Sequence, residues 1–356
     1  MKLVIFSEAG FQYGFGHFYR MSGICERAQR EGLDVTMYLM ADDAARANLN
    51  RDFVEFADWK VPAFYEEKLT ENTLLVIDSY HVDLDLLETF NELAGDMIVI
   101  DDNIRLDYHD MKILNPNYFG IWLEYPEDRN NTMYLGKDYT LVRDEFTMHG
   151  PRIFREEVTD VLVTMGGTDP AGRTAGIVDM LREASSSVRL HVVCTAAYRD
   201  LDDIRSRLGE NDILHINIGA EEMCSLMENC DFAVASAGGT TNELVRMQCP
   251  AVLVVVADNQ VLNTRYLSDA GYTVSMFEDD SSIIREMFSC EKRKALADKL
   301  KSFSSDRSGK DLICDLARSG GTDGRSSNDR GGDICQPRTR YQYSQAVHTQ
   351  GQGDGL

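Results

Sequence analysis

Leu3-Val4-Ile5-Phe6-Ser7-Glu8-Ala9-Gly10-Phe11-Gln12-Tyr13-Gly14-Phe15-Gly16-His17 decides the fold class of this chain. The apolar run 3–6 reads as a buried strand, the glycine-rich stretch as a turn, and 17–30 as a helix. Strand, glycine-rich turn and helix open an α/β nucleotide-binding unit. Gly10, Gly14 and Gly16 do not follow the dinucleotide spacing, so an NAD site is not expected. His17 falls where the helix begins. Free N–H groups there disfavour an imidazolium, which predicts a neutral histidine able to accept a proton. The plainer reading is a cap or surface histidine on a common kind of turn.

Outward from this segment, strand-like and helix-like stretches alternate along the chain. Strands are predicted at 35–40, 74–77, 97–100 and 112–114, then at 161–165, 189–194, 214–218, 232–235 and 251–256. Helices are predicted at 41–50, 84–93, 201–208, 221–229, 243–247, 261–270 and 291–303. Such repetition implies a mostly parallel sheet covered by helices on both faces, built twice. The expected division is 1–150 and 151–317, with a tail at 318–356. That tail is rich in Gly, Ser, Arg, Asp and Gln and poor in aliphatic residues. It is expected to stay disordered, because it buries too little apolar surface to offset its ordering entropy.

The 356 residues suffice for two cores. With 36 basic against 59 acidic residues the net charge is −23, which argues against nucleic acid or an anionic membrane as a partner. A small anionic ligand stays possible, since local amides can outweigh distant charge. The longest apolar stretch, 251–257, is strand-sized, so no stable membrane insertion is expected. Met1 leads directly into a strand with no signal peptide ahead of it, which predicts a cytoplasmic protein. The eight cysteines form no CxxC pair and read as reduced thiols. A monomer is expected.

In open parallel sheets ligands bind beyond the carboxyl ends of the strands. Polar clusters stand at six predicted ends: Gly16-His17, Asp78-Ser79-Tyr80-His81, Asp101-Asp102-Asn103, Gly166-Gly167-Thr168-Asp169, Gly238-Gly239-Thr240-Thr241 and Asp258-Asn259-Gln260. If the halves face each other, all six border one cleft. The two Gly-Gly-Thr turns suit a phosphate, through close backbone approach, free helix N–H groups and threonine hydroxyls. Glu243 fits either a capping box with Thr240 or a grip on a ribose diol. Asp258-Asn259-Gln260 fits a sugar or pyrophosphate contact, or a helix cap. The Asp101-Asp102 pair lacks a clear third oxygen ligand, so no metal is expected. His81, His109 and His149 lack ligand spacing and read as surface or loop residues. No G-x-S-x-G elbow is present.

Taken in order, Gly16-His17-x-x-Arg20, Ile77-Asp78-Ser79-Tyr80, Asp101-Asp102, Leu114-Asn115-Pro116-Asn117, Met165-Gly166-Gly167-Thr168-Asp169-Pro170, Ser236-Ala237-Gly238-Gly239-Thr240-Thr241-x-Glu243 and Ala257-Asp258-Asn259-Gln260 form one pattern. It resembles the UDP-2,4-diacetamido-2,4,6-trideoxy-β-L-altropyranose hydrolases of pseudaminic acid biosynthesis and their relatives among spore-coat polysaccharide biosynthesis proteins, over about residues 1–316. The resemblance implies the glycosyltransferase-B architecture, two Rossmann-like domains facing across a cleft. It implies metal-independent, cofactor-free hydrolysis of a UDP-sugar at the anomeric C–O bond. His17 would activate water, and Tyr80, the second candidate catalytic residue, would lie near the sugar or the attacking water. Gly166, Gly167, Gly239, Thr240 and Thr241 would embrace the pyrophosphate, with Glu243 and Asn259 in the same nucleotide-sugar site. By position, Gly16, Arg20, Asp78, Arg143, Thr168, Gly238, Asp258 and Gln260 complete the candidate substrate residues. The loop before Gly16 is longer than the family's Ser-Glu-x-Gly-x-Gly-His form, which places Phe11-Gln12-Tyr13-Gly14 near the sugar.

Fold does not imply function. A glycosyltransferase, with His17 activating an acceptor hydroxyl instead of water, is the alternative. A non-catalytic nucleotide-sugar-binding protein is the third reading.

Overall fold

Strands and helices alternate as the sequence predicts. The computed structural model describes residues 1–10, 13, 15–166, 169, 171–196, 198–303, 305 and 307–320. The first half runs β1 (Lys2–Ala9), α1 (Gly16–Arg30), β2 (Val35–Ala41), α2 (Asp43–Leu49), β3 (Val54–Phe56), α3 (Pro62–Lys68), β4 (Thr73–Asp78), α4 (Leu84–Leu93), β5 (Asp96–Ile100), β6 (Lys112–Asn115) and β7 (Thr132–Leu135). The second runs β8 (Asp160–Thr164), α5 (Arg173–Ala184), β9 (Arg189–Cys194), α6 (Leu201–Arg207), β10 (Ile213–Ile216), α7 (Ala220–Asn229), β11 (Phe232–Ser236), α8 (Thr240–Arg246), β12 (Ala251–Val254), α9 (Val261–Asp269), β13 (Val274–Met276), α10 (Ser281–Glu286), α11 (Cys290–Phe303) and α12 (Gly309–Ser319).

Among the described residues these strands form two parallel sheets, ordered β3-β2-β1-β4-β5-β6-β7 and β10-β9-β8-β11-β12-β13. Both carry the doubly wound order, with the direction of winding reversing beside β1 in one sheet and beside β8 in the other. Parallel sheets covered on both faces need strands apolar throughout, and Leu3, Val4, Ile5 and Phe6 are all buried. Leu3 and Ile5 pack toward α1 and α12, Val4 and Phe6 toward Trp59 and Phe90. Phe6 stacks on Trp59 at 5.3 Å, and Trp59 Nε1 donates to the Ser7 carbonyl at 2.8 Å. At the end of β1, Gly10 has φ +142°, and a Cβ there would lie 2.1 Å from Asp42 Oδ2. Only glycine fits this exit from the strand.

The last helix was not anticipated. Ser308 and Asp311 form a capping box that starts α12. Leu312, Ile313, Leu316 and Ala317 then pack into the first-domain core beside α1. The Met1 ammonium donates to the Ala317 carbonyl at 2.6 Å. The chain therefore crosses between the domains twice, and α12 packs with the first sheet although the sequence division places 309–317 in the second domain. Arg318 and Ser319, assigned to the tail, are helical, and Gly320 ends the helix at φ +70°. Residues 321–356, the rest of the expected tail, lie outside the described residues. Among the described residues no helix is long and apolar enough to cross a membrane.

Candidate active site

Both sheets point their carboxyl ends at one cleft of about 510 Å³. The first sheet brings His17 and Asp78 together at its switch point. β1 and β4 are neighbours, with Ser7 opposite Asp78. The loop after β1 delivers His17 on the first turn of α1, and β4 ends at Asp78. His17 Nδ1 lies 2.8 Å from Asp78 Oδ1. A carboxylate at this distance accepts the Nδ1 proton, which leaves Nε2 as the ring's proton acceptor. His17 lines the cleft. The carboxylate beside the ring, not only the helix start, thus sets its tautomer.

Arg20, one turn along α1, donates to Asp78 through Nε and Nη2, both at 2.5 Å. It also grips Asp102 through Nη1 and Nη2, each at 3.0 Å. Asp102 in turn accepts from Asn117 Nδ2 at 2.8 Å and from the Tyr80 hydroxyl. The Tyr80 ring meets His17 edge-on at 4.6 Å. Burial alone would raise the Asp78 carboxyl, but Arg20 and His17 hold it down at about 2. Asp102 is half-buried, and although desolvation would raise its carboxyl, Arg20 keeps it below the usual carboxylate range. Burial and the Asp102 charge push the Tyr80 phenol upward, so its hydroxyl stays a donor.

The acidic pair at 101–102 is divided between two tasks. Asp101 accepts from the backbone N–H of Ile104 and Arg105 and from the hydroxyls of Tyr108 and Tyr125. Asp102 braces Arg20. His81 is an exposed loop residue, as the sequence predicts. Its ring pairs with the fully buried Glu8 at 2.6 Å, through an oxygen that also accepts from the Tyr80 N–H at 3.3 Å. The other Glu8 oxygen has no partner among the described residues. His109, half-buried, and His149, exposed, lie in loops beside Asp107 and Glu228, as expected.

The opposite wall comes from the second sheet. Gly238 and Gly239 follow β11, Asn242 and Glu243 lie on α8, Asn259 and Gln260 follow β12, and Asn263 lies on α9. Glu243 makes no capping box, since α8 starts at Gly239 without a side-chain cap. Its carboxylate instead meets Arg143 Nη2 at 2.7 Å. Burial raises the Glu243 carboxyl despite Arg143. Gln260 braces its own loop, Oε1 accepting from the Val256 N–H at 3.0 Å, and α9 has no side-chain cap. The buried oxygens Thr241 Oγ1, Asn242 Oδ1 and Asn263 Oδ1 have no partner among the described residues.

Of the sequence candidates, Gly16, His17, Arg20, Tyr80, Arg143, Gly238, Gly239, Glu243, Asn259 and Gln260 line the cleft. Asp78 and Thr241 are fully buried. Gly166, Thr240 and Asp258 are not in the cleft wall, and Gly167 and Thr168 lie outside the described residues. Asp169 caps α5, accepting from the Arg173 and Thr174 N–H groups. The sequence places Asp102 at a cleft-bordering strand end without a role, and does not select Asn117, Asn242 or Asn263 for the site. The Asn-Pro-Asn segment after β6 was the available signal for Asn117.

The same architecture recurs in solved structures. MurG of Acinetobacter baumannii superposes with a TM-score of 0.55 at 12% identity, covering 90% of this chain and 100% of that one. Os79 of O. sativa, in complex with UDP, gives 0.59 at 12% identity, covering 89% and 100%. The fold is that of the glycosyltransferase-B proteins. By sequence, the chain is 23% identical over 274 residues to a Helicobacter pylori protein named pseudaminic acid cytidylyltransferase and UDP-2,4-diacetamido-2,4,6-trideoxy-β-L-altropyranose hydrolase, covering 76% of this chain and 47% of that one. It is 21% identical over 292 residues to the spore coat polysaccharide biosynthesis protein SpsG of Bacillus subtilis, covering 78% and 84%. A Methanocaldococcus jannaschii protein without an assigned role is 20% identical, covering 71% and 55%. The chain thus spans about half the length of the H. pylori and M. jannaschii relatives. No family model matches.

Proposed function

We propose that this glycosyltransferase-B protein hydrolyses a UDP-sugar, releasing UDP and a free acetamido-deoxy sugar for surface-polysaccharide or nonulosonic acid synthesis. The observation that carries the reading is the His17–Asp78 pair on the cleft wall opposite Gly238, Gly239 and Asn242. In this reading, His17 Nε2 takes a proton from water as its oxygen bonds to the anomeric carbon. The bond from that carbon to the β-phosphate oxygen breaks, and its electron pair leaves with UDP. Asp78 stabilises the imidazolium formed and Arg20 keeps Asp78 ionised. The N–H groups after β11 and the orphaned oxygens of α8 and α9 contact the nucleotide. A departing diphosphate needs little protonation, so a second carboxylic acid is not required, unlike the usual glycosidase pair. Tyr80 packs the base and borders the sugar.

The similarity to the H. pylori and B. subtilis proteins supports the substrate class. The test is a panel of nucleotide-sugars in water alone, with products followed by NMR. Free sugar and UDP from a UDP-acetamido sugar are expected. UDP release only on adding a sugar or lipid acceptor would instead establish the transferase reading.

A further inference from the structure

A second cavity, of about 330 Å³, shares Val142 and Arg143 with the cleft as a common wall. It lies where the chain crosses between domains, bordered by α1, the connection 137–147, α8 and the stretch 303–311. Among the described residues, seven of those lining it are Arg or Lys and two are Asp. In a chain of net charge −23 this is a local reversal of sign.

The two carboxylates are already engaged. Asp144 meets Arg30 and Lys310, and Asp311 meets Arg27 at 3.2 Å while capping α12. Lys137, Arg246 and Arg307 face no carboxylate among the described residues. Lys137 sits 5.7 Å from the centre of the Phe303 ring, and Arg246 donates to the Ser305 carbonyl. Lys310 is almost fully buried here, and burial draws its ammonium below the usual lysine range against the pull of Asp144. The N-terminus of α12 opens on the same space at Ser308 and adds its positive end. Cations held together in a partly enclosed space repel one another, and an anion among them relieves that repulsion.

We propose that this cavity is a binding site, separate from the cleft, for a small molecule carrying at least two phosphate charges. Two guanidinium forks and one ammonium without carboxylate partners among the described residues match phosphate oxygens. The volume lies at the low end for small-molecule pockets and suits a pyrophosphate or a sugar phosphate. Arg143 borders both spaces and pairs with Glu243, so an anion in the cavity competes for the group that holds Glu243. That coupling rests on the nucleotide-sugar reading of the cleft, whereas the anion site does not.

Calorimetry with inorganic pyrophosphate on the full chain, with and without saturating UDP, tests the site. Pyrophosphate is expected to bind the UDP-saturated protein. Lys137→Ala with Arg307→Ala should weaken it about tenfold or more while leaving UDP affinity unchanged. Arg307 is exposed, so Arg307→Ala alone should preserve the fold and still weaken binding several-fold. Lys137→Arg with Arg307→Lys should largely retain binding. Absence of pyrophosphate binding to the UDP-saturated chain, or equal affinity in the folded double variant, would overturn the site. If UDP itself does not bind, the reading of the cleft fails, and the double variant still decides the second site.

Discussion

The two walls of the cleft are built on opposite principles. Around His17 the polar groups partner one another, one oxygen of Glu8 behind them aside: Asp78, Arg20, Asp102, Tyr80 and Asn117 form one connected network. Across the cleft, Thr241, Asn242 and Asn263 each keep a buried oxygen without a partner among the described residues. A satisfied network holds a base in one tautomer and one orientation before anything binds. Unpartnered buried polar groups cost about 1–3 kcal/mol each, a penalty relieved when a ligand reaches them. The first wall is shaped as machinery and the second as a mould.

This contrast can be broken at several points. The largest effect should come from His17→Ala, which is expected to lower kcat by about 10²–10⁴-fold while leaving UDP affinity unchanged. Steady-state kinetics beside calorimetry separates the two. Asp78→Asn should lower kcat by roughly a hundredfold, because an amide no longer dictates the tautomer of His17. The same carboxylate predicts acid sensitivity. Its folded pKa of about 2 lies below the ordinary carboxylate value, so its stabilisation is present above about pH 4 and is lost as pH falls toward 2. That loss amounts to about 2 kcal/mol, and chemical unfolding between pH 5 and 2 should show it flattened in Asp78→Asn.

Smaller effects belong to the second wall. Asn263→Ala is expected to weaken UDP binding by about tenfold with little change in Tm, since its oxygen has no partner to lose among the described residues. Thr241→Val replaces a buried, unpartnered hydroxyl by a methyl group. It should raise stability by about 1 kcal/mol, seen as a higher Tm. A drop in Tm with either variant would mean that this wall is as internally satisfied as the first.

Much of the fold was legible because buried parallel strands announce themselves as short apolar runs. The ranges 189–194 and 84–93 agree with the structure residue for residue. The helix α12 escaped notice because its apolar face is five residues amid charge and glycine, and its docking partners on β1 and α1 lie nearly 300 residues upstream. Within the site, His17 stood out through its place on a glycine-rich turn. Arg20 and Asp78 stand among the candidate substrate residues, but their pairing with His17 was not legible, because Asp78, with Asp102 and Asn117 behind Arg20, joins it only through the order β1-β4-β5-β6 of the sheet. The Arg143–Glu243 pair spans 100 residues and two domains, beyond any local pattern.

The most direct measurement is turnover of a UDP-acetamido sugar in ¹⁸O-labelled water without acceptor, with sugar and UDP analysed by mass spectrometry, in wild type and His17→Ala. The expected result is label on the sugar, none in UDP, and near-complete loss of turnover in the variant. Label in the diphosphate, release that requires an acceptor, or wild-type turnover by the variant would contradict water activation by His17 at the anomeric carbon.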